Sequence, residues 1–422
     1  MVIIVNLERG IEMKAKLIGI GAAGNKAAIK AIDSGIFPLN DVRLMNTTDR
    51  DINHKYDDIS IIFGNQRGGC GKERDLAKKL MITALKDGSI DMNSIVSNED
   101  DVVIIVSSSE GGTGCGASTI LAKYIDSVMG KNVHLFVFTG FEQDVRGLQN
   151  TLEYFKDLDE SFTVEAISNK KFLDESKNKA EAEDKANEEF VKRIRVFLGQ
   201  ELRESDQNID ETDLYKLSTT SGFMDIEKHV LHNIKNVSDM SNVIREIFDY
   251  SKSLEYEKTA KRIGIILNVS ERTKNIDPDL STIFNYTGEA FEVYNHIQIA
   301  NPGEDEYIAI IVAGLKLPID ELKAVYYAYT ARTTNIDKSS DNFLDDIGGF
   351  EVMEEDSMFN LKSKKKKKST ETFFDELDEE YTEKSITKKT PSTQDSQSVH
   401  VVKSKLKTNN SSNPFKDEIT IQ

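Results

Sequence analysis

Residues 110–116 read Glu-Gly-Gly-Thr-Gly-Cys-Gly, with four glycines in seven positions. An apolar run, Val102 to Val106, precedes this stretch, and a segment of helical composition follows from about Ala117. Glycine has no Cβ, so its backbone N–H can approach a ligand closely. Amides that converge before a helix form a nest for anions, and the helix N-terminus adds positive partial charge. The stretch therefore predicts a phosphate-binding loop, and a flexible loop without a ligand is the alternative interpretation.

Two further glycine clusters follow apolar runs nearer the N-terminus. The first is Gly-Ile-Gly-Ala-Ala-Gly-Asn at 19–25, and the second is Gly-Gly-Cys-Gly-Lys at 68–72. The second is not a P-loop, because Gln66 stands where the first glycine is needed and Glu73 replaces the magnesium-binding Ser/Thr. Strands of a parallel sheet present their carboxyl ends at one edge. Three such loops therefore predict one cradle for a polyphosphate, with packing turns as the alternative.

The apolar runs also predict the fold class. From Ala15 to about Gly140 they alternate with segments long enough to be crossover helices, as expected for buried parallel strands. We predict an α/β protein with a doubly wound, mostly parallel sheet. The predicted divisions are a nucleotide-binding domain at 1–173, a long central helix at 174–207, a second, smaller α/β domain at 208–333 and a disordered tail at 334–422.

Composition excludes several classes of protein. The net charge of −18 over 422 residues disfavours general affinity for nucleic acid or anionic lipid. The two cysteines, Cys70 and Cys115, have neither CxxC nor histidine spacing, which excludes a disulfide framework or a zinc site and fits the cytoplasm. The sequence has no uninterrupted run of 18 apolar residues, so it predicts no transmembrane segment.

The three loops together resemble those of the tubulin/FtsZ family of GTPases. Residues 110–116 match five of the seven positions of the family's GGGTG[ST]G motif, with Glu110 and Cys115 as the departures. The GxGxxGN loop corresponds to residues 19–25, and Asn46-Thr47 resembles the NTD loop with Thr48 in the acidic place. The resemblance runs from about Lys14 to Arg332. It implies GTP and GDP as ligands, with Mg²⁺ to offset the charge of the triphosphate.

The resemblance also implies contacts to the ribose and the base. Glu142 and Arg146 repeat the spacing of the family's ribose-binding residues, and Asn169 and Asn187 stand where it contacts guanine. Glu183 stands where FtsZ proteins often stack a phenylalanine on the base. The positions implied for nucleotide binding are Gly21, Ala22, Ala23, Asn25, Gly69, Gly71, Gly111, Gly112, Thr113, Gly114, Cys115, Gly116, Glu142, Arg146, Asn169 and Asn187. No residue is assigned as a metal ligand. Glu110 either points away from the phosphates or helps to hold the metal, and the first interpretation is favoured.

The stretch 208–213, Asn-Ile-Asp-Glu-Thr-Asp, reproduces the family's NxDxxD motif. By resemblance, Asn208, Asp210 and Asp213 complete the catalytic site of the neighbouring subunit, where the carboxylates polarise the attacking water. An ordinary helix N-cap at Asp210 or Asp213 is the alternative interpretation. A nucleotide face that meets an acidic face is a heterologous contact, which generates an open head-to-tail filament.

The tail and the cellular role leave several interpretations open. Residues 364–368 are five lysines, which are either a solvated run or a contact for DNA or another polyanion. The terminal stretch from Asn413 resembles the partner-binding tail of FtsZ, which implies an adaptor protein. The divergent loops favour a plasmid or phage DNA-segregation filament over a cell-division ring. A nonhydrolysing scaffold and a dinucleotide-binding oxidoreductase are the outside alternatives, although the second strand ends in Asn46-Thr47-Thr48 and not in the acidic residue that a dinucleotide site requires.

Overall fold

The computed structural model describes residues 13–64, 67–203, 205, 208–333 and 367–377. The strands are β1 (Ala15–Ile20), β2 (Val42–Asn46), β3 (Ser60–Ile62), β4 (Arg67–Cys70), β5 (Val102–Ser108), β6 (Asn132–Thr139), β7 (Thr163–Ser168), β8 (Gly222–Val230), β9 (Arg262–Val269), β10 (Glu292–Ile299) and β11 (Tyr307–Leu315). The helices are α1 (Gly21–Asp33), α2 (Arg74–Lys86), α3 (Met92–Ile95), α4 (Thr113–Tyr124), α5 (Val145–Lys156), α6 (Asn169–Leu173), α7 (Lys179–Phe197), α8 (Glu211–Ser218), α9 (Val237–Asp249), α10 (Leu280–Thr287) and α11 (Ile319–Thr333). Short 3₁₀ turns occupy Leu39–Asp41 and His54–Ile59, and a π-helical turn at Ile125–Met129 continues α4.

Ten of these strands form one sheet, in the order β10-β9-β11-β8-β7-β6-β5-β1-β2-β3. Along the sheet from β8 to β3, each strand is parallel to the next one. β11 is antiparallel to both β8 and β9. The apolar run of β5 is buried along its length up to Ser107, as expected for a central strand covered on both faces. The prediction of a doubly wound, mostly parallel sheet is confirmed.

The helices divide between the two faces of the sheet. Alternate strand residues such as Leu17 and Ile104 belong to one core cluster with Ala28 of α1 and Phe190 of α7. In the sheet, β2 lies on one side of β1, and β5, β6 and β7 lie on its other side, so the chain reverses its direction of winding after β3. Right-handed crossovers therefore place α2, α4 and α5 on the face opposite α1.

The central helix is shorter than the predicted range of 174–207. It begins at Lys179, because the Asn178 side chain accepts a hydrogen bond from the amide of Glu181, and it ends at Phe197. Gly199 follows with a φ of +71°, a left-handed conformation that stops a helix. A separate short helix, α6, precedes it.

The sheet continues without a break into the region predicted as a second domain. β8 pairs in parallel with β7, starting from Thr163 opposite Gly222. Strands before and after residue 208 thus belong to one sheet. The division into two domains at this residue stays a prediction. Within the described ranges, none of the helices combines the length and apolar character needed to cross a bilayer.

One short stretch of the predicted tail is described, at residues 367–377, and it contains a helix from 370 onward. Phe373 and Phe374 are buried, with exposed fractions of 4% and 7%. Within the predicted tail, this stretch is helical and its aromatic pair packs on the folded body. Most of the lysine run, with Lys364 to Lys366, and the terminal residues from Asn413 lie outside the described residues.

Candidate functional site

The three glycine loops touch one another at the carboxyl edge of the sheet. Gly21 opens α1 with a φ of +73°, and a Cβ at this position would lie 2.9 Å from the amide nitrogen of Gly114. A Cβ on Gly112 would lie 2.9 Å from the amide nitrogen of Lys72. Side chains at these glycines would push the loops apart. The sequence prediction that these loops converge agrees with this geometry.

Two helix N-termini open into the space that the loops enclose. α1 starts directly at Gly21, and α4 starts at Thr113 after Gly112. Neither terminus has a side chain that caps it, and neither carries an acidic residue in its first turn. The first amides of each helix are thus available to a ligand, and their partial charge is positive. The arrangement suits an anion with several oxygens.

The second loop supports the first and third from one side. Gly69 and Gly71 both adopt left-handed backbone, with φ of +69° and +52°. The hydroxyl of Thr47, at the end of β2, lies 2.9 Å from that of Thr113, and the Cys70 thiol donates to Thr47 at 3.5 Å. A small buried hydroxyl network therefore joins the end of β2 to the start of α4.

Asn150 is a site residue that sequence reasoning missed. It lies on α5 and is buried, with 2% exposure. Its amide nitrogen donates to the carbonyl of Lys72 at 3.0 Å and to that of Glu110 at 3.1 Å, with Gly111 at 3.5 Å. One side chain thus ties the second loop to the third. No local pattern marks a single asparagine in an amphipathic helix as a loop tether.

Replacing Asn150 with alanine is expected to weaken phosphate binding by roughly tenfold, or about 1.4 kcal/mol, because two loop carbonyls lose a buried donor and the loops lose part of their positioning. Isothermal titration with GTP and GDP measures the affinity. The matched control is Gln149→Ala on the same helix, whose amide donates to Glu153 at 3.0 Å. Equal affinities in both variants would show that the tether does not position the loops.

Glu110 is turned toward the loop between β6 and α5. Its Oε1 accepts a hydrogen bond from the amide of Glu142 at 2.7 Å, and its side chain packs on Gly140 so closely that a Cβ there would overlap it. Glu142 has a φ of +54°, a left-handed conformation that a non-glycine residue rarely adopts. Glu110 thus closes the third loop against its neighbour.

Beside the loops lies an open cleft of about 120 Å³. Its lining includes Ala23, Lys26, Phe141, Asn169, Glu183 and Asn187. The Oδ1 atoms of Asn169 and of nearby Asn25 are buried and have no hydrogen-bond partner among the residues that the structure describes. A buried acceptor without a donor is costly, so these atoms are suited to accept hydrogen bonds from a ligand.

An ion pair spans the cleft where the resemblance implied an aromatic ring on the base. Lys26 Nζ of α1 lies 3.0 Å from Glu183 Oε2 of α7. Lys30 and Glu188 form a second pair between the same helices, at 3.1 Å. Stacking by residue 183 is excluded, because a carboxylate has no aromatic face.

Some of the predicted nucleotide contacts pair with other protein groups. Arg146 donates to Glu73 at 2.9 Å, and the Glu142 carboxylate pairs with Lys170 at 2.8 Å. The Cys115 thiol is buried and donates to the carbonyl of Asn150, and burial raises its pKa to about 11.

Gly116 is a packing position and not an available donor. Its amide donates to the carbonyl of Gly112 at 3.0 Å, within the start of α4. A Cβ on Gly116 would lie 2.2 Å from the carbonyl oxygen of Arg74, so glycine here allows α4 to approach α2. The role of this glycine is therefore to bring the two helices together beneath the loops.

The acidic segment forms the start of α8. The Asp210 side chain accepts from the amide of Asp213 at 2.8 Å and is the N-cap, as the alternative interpretation held. Asp213 is half-buried, 3.6 Å from Lys216, and Asn208 accepts from the amide of Ser205 at 2.8 Å. Capping uses one oxygen of Asp210, and Asp210 and Asn208 remain exposed.

This segment lies at the edge of the sheet opposite the glycine loops. The amide of Met13, before β1, donates to the carbonyl of Leu198 at the end of α7. Asn132, the first residue of β6, donates to the hydroxyl of Tyr215 in α8 at 2.8 Å. The first contact places the end of α7, and the second places α8, at the amino ends of the strands. The 19 residues of α7 span roughly 28 Å between the two regions.

Comparisons with known proteins identify the fold. No protein-family model matches the sequence. A curated relative, the tubulin-like protein CetZ2 of Haloferax volcanii, is 24% identical over 195 residues, which are 44% of this chain and 54% of the relative. The chain therefore spans about half the length of that relative.

Solved structures match over most of the chain. The TubZ of Clostridium botulinum phage c-st superposes with a TM-score of 0.59 at 15% identity, covering 76% of this chain and 97% of that protein. A GTPγS-form protofilament of Bacillus thuringiensis serovar israelensis TubZ gives 0.62 at 18% identity, covering 76% and 92%. The GTPγS-bound protofilament of Haloferax volcanii CetZ2 gives 0.61 at 17% identity, covering 76% and 99%.

Proposed function

We propose, from the tubulin-like fold that this chain shares with TubZ and CetZ proteins, that it is a GTPase whose subunits stack head to tail into a filament. GTP and GDP bind at the carboxyl edge of the sheet, and the acidic segment of the next subunit completes the hydrolytic site. The observation that carries the proposal is the position of the glycine loops and the acidic segment at opposite edges of one sheet.

The cradle accounts for binding of a triphosphate. The uncapped N-termini of α1 and α4 and the left-handed turns at Gly69 and Gly71 present amides toward one space. The cleft beside it offers Asn169 and Asn187 to a base. Magnesium enters with the triphosphate, because it offsets the phosphate charge.

Hydrolysis needs a group that orients water in line with the terminal phosphate. Glu110 is the carboxylate nearest the loops in sequence, but it accepts the amide of Glu142 and packs on Gly140. Within the same chain, Asp210 and Asp213 lie near the amino ends of the strands, and the loops lie at the carboxyl ends. Stacking of subunits would bring the acidic segment of one onto the loops of the next, and this supports a site shared by two subunits.

Phosphate release is expected to show a threshold in protein concentration, because the site is complete only between subunits. Below the threshold release should be nearly absent, and above it release should rise with the mass of polymer seen by electron microscopy. ATP in place of GTP is the matched control and should give neither. Release that is proportional to protein concentration from the lowest concentration would contradict the shared site.

The same experiment separates the alternatives. Filaments that form with GTP but release no phosphate would identify a nonhydrolysing scaffold. An oxidoreductase would bind a nicotinamide dinucleotide and would not assemble. β2 ends in Asn46, followed by Thr47 and Thr48, and not in the acidic residue that a dinucleotide site requires, which favours the GTPase.

For the cellular role we propose plasmid or phage DNA segregation or positioning, with a cell-division ring as the alternative. One of the structural neighbours is itself a phage TubZ, and the altered glycine loop is a divergent feature. An adaptor would bind the terminal residues from Asn413, and DNA would be reached through it or through the lysine run. Pulldown with the full chain distinguishes the roles: a DNA-bound adaptor supports segregation, and a membrane-anchored adaptor supports division. The cytoplasmic location stays a prediction.

A further inference from the structure

The docked stretch of the tail lies far from the point where the tail leaves the fold. α11 ends at Thr333, and Arg332 donates to the carbonyl of Glu142 at 2.9 Å, beside the nucleotide cleft. The docked stretch begins at Lys367, whose side chain lies against Gly130 at the end of the π-helical turn. Lys131 follows and donates to the carbonyl of Asp100, just before β5. The tail therefore leaves near the carboxyl edge of the sheet and docks near the amino edge.

The docking contact is specific in both backbone and side chains. The amide of Lys368 donates to the carbonyl of Ser127 at 2.9 Å. Phe373 meets the Tyr124 ring edge-on, with centroids 5.5 Å apart, and the Phe374 centroid lies 6.2 Å from the same ring. Lys86, at the end of α2, places its ammonium 5.2 Å from the centre of the Phe374 ring. One aromatic pair thus occupies a surface made by the ends of α2 and α4.

The sequence of the stretch is suited to form this short helix. The Ser369 hydroxyl accepts from the amide of Thr372 at 3.1 Å, which is an N-cap hydrogen bond. Glu371 follows within the first turn, where negative charge is favourable. The helix places Phe373 and Phe374 together on the body, and the lysine run precedes the cap.

We propose that the ends of α2 and α4, with Tyr124 and Lys86, form an intramolecular docking site for the aromatic pair Phe373-Phe374. The contact moves the exit point of the last part of the tail from the nucleotide end of the subunit to the opposite end. Residues 334–366 connect the two points, and an extended chain of that length reaches on the order of 100 Å, which is ample for this path. Docking needs neither nucleotide nor assembly.

One consequence rests on the proposed filament. The end of α11 lies beside the face that would meet the next subunit, so an undocked tail would start at that joint. With the aromatic pair docked, the residues that follow it start from the amino edge of the sheet and not from that joint. A partner held by the last residues would then be tethered from the amino edge of the sheet.

Hydrogen–deuterium exchange on the full chain without nucleotide tests the docking directly. Residues 370–375 should exchange roughly tenfold or more slowly than the same sequence in a free peptide, because exchange requires local opening. The double variant Phe373→Ala/Phe374→Ala should lose this protection and also loosen the peptide that contains Ser127. The control is Tyr250→Ala/Phe291→Ala, which removes two aromatic side chains that are 74% and 70% exposed. Peptide-like exchange in the unmodified chain would overturn the proposal, whether or not the protein proves to be a GTPase.

Cross-linking determines whether the site is filled by the same chain. Native Cys70 and Cys115 are buried, so cysteines introduced at Ser127 and Lys368 would react selectively. A chain that carries both Ser127→Cys and Lys368→Cys should be joined within itself by a short bismaleimide. An equal mixture of the two single variants at low concentration should give almost no joined pairs. Efficient pairing in the mixture would show that the segment docks on a second copy and would overturn the intramolecular site.

Discussion

Asp213→Ala is expected to lower GTP-dependent phosphate release by roughly 100-fold to 10,000-fold, the usual contribution of a positioned group that accepts or orients a proton. Nucleotide binding should persist, because Asp213 lies at the edge of the sheet opposite the loops, and filaments should still form. Its carboxylate is only 3.6 Å from Lys216 and 24% exposed, so it is held in place but accessible. Release should be measured above the assembly threshold, with bound nucleotide and sedimented polymer quantified in the same samples.

Two matched variants separate the chemistry from the fold of α8. Glu211→Ala removes an exposed carboxylate from the same first turn and should leave release nearly unchanged. Asp210→Asn removes a charge but keeps the N-cap, since asparagine caps a helix about as well as aspartate. Loss of release in Asp210→Asn with α8 intact would indicate that the second carboxylate also acts on water. Full release by Asp213→Ala would leave the acidic segment with a structural role only and would refute the shared site.

Arg193→Met is expected to lower the free energy of unfolding by about 3–5 kcal/mol, because it leaves buried carboxylates without their counter-ion. Arg193 is completely buried and donates to Glu165 at 2.9 Å, Glu189 at 2.8 Å, Asp225 at 3.0 Å and Glu227 at 2.6 Å. Burial among these acidic groups raises the pKa of Glu227 to about 8. The melting temperature should fall by on the order of 10 °C.

Arg195→Met is the control for this substitution. Arg195 lies on the same helix, but its guanidinium donates to the carbonyl of Ser34 at the periphery. Its loss should change the free energy of unfolding by less than about 1 kcal/mol. Denaturant titration and calorimetry of both variants give the comparison. Similar losses would show that the carboxylates around Arg193 rearrange or protonate without cost.

The Arg193 network also connects the two functional regions. α7 carries Asn187 beside the cleft, and the chain leads from its other end toward the acidic segment. Arg193 joins this helix to Glu165 on β7 and to Asp225 on β8, which belong to the predicted first and second domains. The network therefore fixes the central helix against both parts of the sheet.

Local patterns were enough to predict the sheet and the cradle. Apolar runs such as β5 are near-continuous because both faces of a parallel sheet are covered, and this can be recognised without knowing the partners. The glycines at 21 and 112 are needed where backbone meets backbone, and their clustering after strands marks these turns. The acidic segment was recognised by resemblance, and its capping hydrogen bond by its position before a helix.

The rest depended on contacts between residues distant in the sequence. β8 carries Asp225 and Glu227, and two acidic residues in a short segment are typical of a solvated loop. In the structure both are largely buried because they pair with Arg193. Arg146 has the family's spacing, but its guanidinium pairs with Glu73.

By itself, the sequence determined the mostly parallel sheet and the three glycine loops, because periodicity and backbone freedom are local properties. Only the tertiary structure decided that Asn150 holds two loops, that four carboxylates share one guanidinium, and that an aromatic pair of the tail has a place on the body. Each of these depends on the free energy of burying a polar or aromatic group, and that free energy is set by its partner in space.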